Sequence, residues 1–172
     1  MRLLFEMDTK DYDANGVAFV RNSARCITIK DGRIAMVHSL KYDYYKFPGG
    51  GIEKDESPER AMIREAKEEA GLVVIPQSVL PYGYVHRMQK DDQGNADFFV
   101  QDNFYYLCDV EEGAQSQNLD DYEAEEQFTL EYVEPNEAIR VNRIADHGPK
   151  DQIMLEREAR VLELLIEEGY FR

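Results

Sequence analysis

The sequence predicts a mixed α/β fold, a mixed β-sheet with helices packed on it. Three observations predict it. Strand-like segments, a capped helix, more strand-like segments and a second strong helix follow one another along the chain. The first helix carries its start and stop signals in full. The second has a continuous apolar stripe.

The elements are justified in order. Ala24 to Lys30 (ARCITIK) reads as a strand, Asp31-Gly32 as a hairpin turn and Arg33 to Ser39 (RIAMVHS) as its partner. Tyr44 to Phe47 leads into three glycines, Gly49, Gly50 and Gly51. Ser57 is an N-cap, Pro58 occupies the first helical position, and helix formers continue to Ala70 before Gly71 as C-cap. Val73-Val74, Ser78 to His86 and Phe98 to Val110 read as strands, with Asp91 to Asn95 (DDQGN) as a turn. Glu111 to Glu126 reads as a polar, acidic loop. Phe128 to Val133 is a further strand and Pro135 to Arg140 a short helix. Asp151 to Glu168 is an amphipathic helix with Leu155, Leu162, Leu165 and Ile166 on its stripe.

No repeat or linker divides the 172 residues, which are read as one domain, 1–172. The formal net charge of −15 argues against nucleic-acid and anionic-membrane partners. No stretch is apolar and long enough to span a bilayer, and the N-terminal apolar run is too short for a signal peptide. Cys26 and Cys108 match neither a disulfide framework nor a zinc spacing, so a cytoplasmic, reducing environment is expected.

Glu65, Glu68 and Glu69 carry the chemistry. At about 100° per residue they share one face of the first helix, beside a stripe of Met62, Ala66 and Ile63. Two carboxylates about 6 Å apart repel by roughly 2–3 kcal/mol at an effective dielectric near 20. At i±3 and i±4 only Glu68 finds a basic neighbour, Arg64, so this is no salt-bridge face. Oxygen-only carboxylate ligands suit Mg²⁺ or Mn²⁺.

From Gly50 to Leu72 the chain reads GGIEKDESPERAMIREAKEEAGL. This resembles the Nudix box, G-x5-E-x7-R-E-U-x-E-E-x-G-U, at every specified position, with Ala66 the smallest acceptable apolar residue. The resemblance implies an α/β/α sandwich and a Mg²⁺-dependent hydrolase, with Mn²⁺ as the substitute ion. Its substrate would be a small nucleotide-like molecule containing a diphosphate linkage. By position, Glu68 and Glu69 match the principal metal ligands and Glu65 a ligand or general base. The carbonyl of Gly49 joins the metal shell in many members. Arg64 would orient the glutamates, with Glu56 as its partner. Gly50 and Gly51 would let backbone approach the phosphates. Some members recruit a later acid; Glu126 is the first candidate here, then Glu125, with Glu123 in the same cluster. Arg25 and Arg87 are the candidate phosphate-binding cations.

The family's markers for ADP-ribose, dinucleoside polyphosphate and NADH hydrolysis are absent. Arg87 stands where the first would have proline. That favours a nucleoside triphosphate or related nucleotide, with ADP-ribose or a nucleotide sugar next. The rival expectation is a non-catalytic nucleotide-sensing module. An isopentenyl diphosphate isomerase ranks lower, because neither cysteine has a supporting motif. Members of the family are often homodimers.

Overall fold

The computed structural model describes residues 1–144 and 146–172. Ten strands form, in chain order, at β1 (Leu3–Asp8), β2 (Ala18–Val20), β3 (Ser23–Ile27), β4 (Ile29–Lys30), β5 (Arg33–Ser39), β6 (Tyr44–Lys46), β7 (Gly49–Gly51), β8 (Leu80–Lys90), β9 (Phe98–Leu107) and β10 (Phe128–Val133). The helices are α1 (Pro58–Ala70), α2 (Asp121–Glu125), α3 (Pro135–Ile144) and α4 (Gln152–Glu167). One sheet runs β1-β8-β9-β3-β7, with β2 also paired to β9. The other runs β10-β5-β4, with β6 paired to β5. Parallel pairs (β1 with β8, β3 with β9) and antiparallel pairs (β8 with β9, β3 with β7) coexist, as a mixed sheet requires.

Strand alternation builds the layers. Ala24 and Cys26 of β3, Ala35 and Val37 of β5, and Tyr106 of β9 pack with Ala61, Met62, Ala66 and Ala70 of α1. Their neighbours one residue on, Ile27, Ile34, Met36 and Tyr105, join Val141 of α3 and Val161, Leu162 and Leu165 of α4. Successive side chains point to opposite faces, so one set of strands feeds two cores. Helices therefore cover both faces, the α/β/α arrangement.

α1 begins and ends where its caps dictate. Ser57 accepts from the Arg60 amide, Pro58 opens the helix, and Gly71 closes it at φ 68° with its amide on the carbonyls of Ala66 and Lys67. Several boundaries differ from the sequence reading. Ala24 to Lys30 breaks at Thr28 into β3 and β4, which lie in different sheets. β8 continues past His86 to Lys90, because β9 pairs with it as far as Phe98. Val73-Val74 makes only an isolated bridge, Val74 to Val110. α3 runs to Ile144 rather than Arg140. The acidic loop ends in α2, whose Glu123 accepts from the Asp120 amide in a capping box. β1 was not expected from its sequence; it forms through parallel pairing with β8. That β3–β9 pairing also brings the buried free thiols of Cys26 and Cys108 to 3.0 Å, although 82 residues separate them.

Gly49 shows why glycine leads into the box. Its φ of 146° disfavours a side chain, and a Cβ there would overlap the Ala24 carbonyl across the β3–β7 pair. Gly49→Ala is expected to lose about 2–3 kcal/mol of stability, read as a lower urea midpoint at unchanged slope. An unchanged midpoint would show that this backbone can move aside.

Candidate functional site

The site forms where α1 crosses β7 and the end of β6. Glu69 lies on the buried stripe, three residues after Ala66 and seven after Met62, and is 1% exposed. Its Oε1 accepts from the Gly49 amide at 3.2 Å, and its Oε2 lies 2.5 Å from Lys46 Nζ. Glu65 rests against Gly50, where an added Cβ would overlap its carboxylate. Glu68 is the most open of the three.

The glutamates are thus not unpaired. Arg64 Nη1 donates to Glu65 at 2.7 Å and to Glu68 at 3.2 Å. Its other donors reach both oxygens of Glu56 at 2.9 Å and the Gly51 carbonyl at 3.2 Å. The expected Arg64–Glu56 pairing is present. The spacing rule missed Lys46, because it arrives from β6 rather than from α1.

These partners set the protonation. Burial pushes the Glu69 carboxyl up to about 7, although Lys46 and Arg25 pull it down. Burial also raises Glu65, against the pull of Arg64. The Arg64 hydrogen bonds hold Glu56 down at about 2. One helix therefore carries an acid raised by burial, Glu69, beside two carboxylates that share a single arginine.

A cleft of about 650 Å³ opens over this corner. Gly49, Gly50, Gly51 and Glu65 line it, and so do five cations: Arg21, Arg25, Lys46, Arg87 and Arg157. Seven acidic residues line the same cleft, Glu65, Glu123 and Asp151 among them, so its cations stand among carboxylates rather than apart from them. Arg25 Nη1 donates to the carbonyls of Gly49 at 2.9 Å and Phe47 at 3.4 Å. Arg87 donates to Gln89 and Asp151. Both lie in the cleft. Arg21, Lys46 and Arg157 were not singled out from the sequence. A signal existed for Arg157, which stands on the α4 stripe four residues before Val161.

The loop acids separate. Glu126, the first choice from sequence, does not line the cleft; it is buried against Ser39, Tyr44 and Lys150. Glu125 is exposed and pairs with Lys41. Glu123 is buried, lines the cleft, and acts electrostatically on Glu69. Among the described residues no group of three or more His, Cys, Asp or Glu is already gathered tightly enough to hold an ion. The histidines have partners of their own, as for His38 between Glu131 and Asp43.

The sandwich, the doubly capped glutamate helix and the glycine strand beside it together define a NUDIX domain. The chain belongs to that family, whose domain matches residues 19–156. An RNA pyrophosphohydrolase of Hahella chejuensis is 51% identical over 41 residues, 24% of this chain and 26% of that protein. Mouse diphosphoinositol polyphosphate phosphohydrolase 3-alpha is 37% identical over 68 residues, 37% of this chain and 40% of its own length. The matched segments span well under half of these curated relatives. A MutT structure described for Aliivibrio salmonicida and Vibrio cholerae superposes with a TM-score of 0.56 at 18% identity, over 87% of this chain and 99% of that one. A NUDIX hydrolase from Nitrosomonas europaea gives 0.56 at 15% identity, over 83% and 90%. At such identities the likeness is one of fold. Among the described residues no helix is long and apolar enough to cross a membrane.

Proposed function

We propose that the protein hydrolyses a diphosphate linkage in a nucleoside diphosphate derivative, using Mg²⁺ or Mn²⁺. A nucleoside triphosphate or related nucleotide comes first, ADP-ribose or a nucleotide sugar next. One observation carries the reading: a glutamate helix and a glycine strand meet at a cleft lined by five cations. Carboxylates hold a hard cation, and the arginines and Lys46 offset substrate charge.

The donor set fits a divalent ion. It is all oxygen, and burial raises Glu69 despite Lys46 at 2.5 Å, so its carboxylate is one that a stronger counter-charge would stabilise. Glu65, Glu68, Glu69 and the Gly49 carbonyl would hold the ion. Glu123 takes the place of Glu126 as the added loop acid, because it lines the cleft. When bound, the ion would neutralise diphosphate charge and lower the pKa of water. Glu65, raised by burial, would serve either as one of these ligands or as the base that takes the water's proton. Arg64 holds Glu65 and Glu68 in position, with Glu56 fixing the far side of its guanidinium. Gly50 leaves room for the Glu65 carboxylate against the strand.

The test is Mg²⁺-dependent release of phosphate or pyrophosphate. The panel is nucleoside triphosphates, oxidised nucleotides, ADP-ribose, nucleotide sugars and dinucleoside polyphosphates. The relatives' names add RNA and diphosphoinositol polyphosphates. The acidic surface disfavours extended RNA contact, so a response to RNA is expected only from its end. Turnover of one class is the expected result. Nucleotide binding without turnover anywhere on the panel would favour a sensing module instead.

A further inference from the structure

We propose that Arg25, Arg87 and Arg157 form a second anion site in the cleft, which takes a phosphoryl group of the substrate other than the two flanking the scissile bridge. This rests on the diphosphate-hydrolase reading and deepens it.

The three guanidinium groups come from β3, β8 and α4, and all line the same cleft. Alternation explains their convergence. Arg25 is two residues before Ile27, and Arg87 two residues after Val85, on the sheet face that packs against α4. Their exposures are 7%, 6% and 1%, so none is an ordinary surface arginine. Long charged side chains are almost never this buried unless paired.

Their pairing is incomplete. Arg157 has Glu158, and Arg87 has Asp151, which also caps α4. Arg25 has only carbonyl oxygens. Two of the three guanidinium groups thus have a carboxylate in direct contact, Arg157 also donating to Asn103 and Gln101, and Arg25 has none. The Nε atoms of Arg25 and Arg157 are buried without any hydrogen-bond partner. A buried donor left unsatisfied costs free energy that a bound oxyanion would recover. The groups also oppose one another: burial, then Arg157 and Arg25, lower Arg87 to about 9. An arrangement this costly alone is what an oxyanion would stabilise, and guanidinium groups bind phosphoryl oxygens in forked pairs.

Arg25 links this site to the glutamate helix. It donates to the Gly49 carbonyl and acts electrostatically on both Glu65 and Glu69. A substrate spanning both places carries a diphosphate at α1 and a further phosphoryl group beside α4.

Inorganic phosphate is the probe, titrated in EDTA against the metal-free protein and read by thermal shift. Without a metal the glutamates repel phosphate, so only the arginine site should respond. The wild type is expected to show a saturable rise in melting temperature. Arg87→Gln should weaken the apparent affinity about tenfold, and Arg140→Gln, an exposed arginine paired with Glu137 outside the cleft, should leave it intact. Each variant is read against its own phosphate-free baseline, so lost stability does not mask the answer. Arg157→Lys, which keeps the charge and loses the fork, should weaken binding as well. No saturable response, or an equal one in Arg87→Gln, would overturn the site. Phosphate binding without turnover on the substrate panel would leave the site standing and sink the hydrolase reading. Turnover without a phosphate response would do the reverse.

Discussion

Glu69→Gln is expected to lower kcat by on the order of 10²–10³-fold without weakening the fold. The substitution keeps a group able to accept from the Gly49 amide but removes the charge that faces Lys46. Loss of Lys46's partner alone would weaken the corner. The raised Glu69 pKa argues otherwise, because the burial cost already exceeds the combined pull of Lys46 and Arg25. A neutral side chain suits the metal-free site better than a carboxylate does. The metal-free variant should therefore melt at or above the wild-type temperature at pH 8. Initial rates under saturating Mg²⁺, with melting curves in EDTA, check both halves. A wild-type rate would remove Glu69 from the proposed machinery.

Metal affinity should fall about tenfold between pH 8 and pH 6. A divalent ion needs Glu69 ionised, and in the metal-free protein that group takes a proton near pH 7. Two pH units therefore cross from mostly ionised to mostly protonated. The same proton sets the sign of metal-free stability. Between the ordinary 4.5 and about 7, the folded chain holds a proton that the unfolded chain has released. Stability contributed by this group is complete below 4.5 and lost as pH rises through 7, by roughly 3 kcal/mol. Calorimetric Mg²⁺ titrations at pH 6, 7 and 8 test the first effect, and urea unfolding in EDTA tests the second. Glu69→Gln should flatten the unfolding trend. A wild-type affinity independent of pH over this range would show that Glu69 does not bind the ion.

The caps of α1 were legible because every signal is local: Ser57, Pro58 and Gly71 act on backbone within a few residues. The glutamate spacing was legible for the same reason. Lys46 was not, because its contact with Glu69 depends on how β6 crosses α1. The different surroundings of the loop acids were not legible for a related reason. Glu123 and Glu126 are three residues apart, yet the short α2 turns one to the cleft and the other to Ser39 and Tyr44. β1 stayed hidden because its hydrogen bonds are made with a strand about 80 residues away. Arg157 carried a visible anomaly, a charge on an apolar stripe, whose meaning needed Arg25 and Arg87 from two other elements.

The pairings that hold the site together also set when it can assemble. Ser23 meets Asn103 across 80 residues, and Ser39 meets Glu126 across 87. Loop closure must precede the reward from contacts this remote, which slows folding toward the millisecond-to-second range. α1 can fluctuate into being early, since its caps are its own. The direct partners of its glutamates, Lys46, Gly49 and Arg64, come from β6, β7 and α1 itself, while the sheets that hold those strands close only after β9 and β10 have arrived. During synthesis β3, β6 and β7 therefore leave the ribosome ahead of the helix they frame, and the nascent chain can hold that acidic helix only against a half-built sheet until β9 and β10 follow.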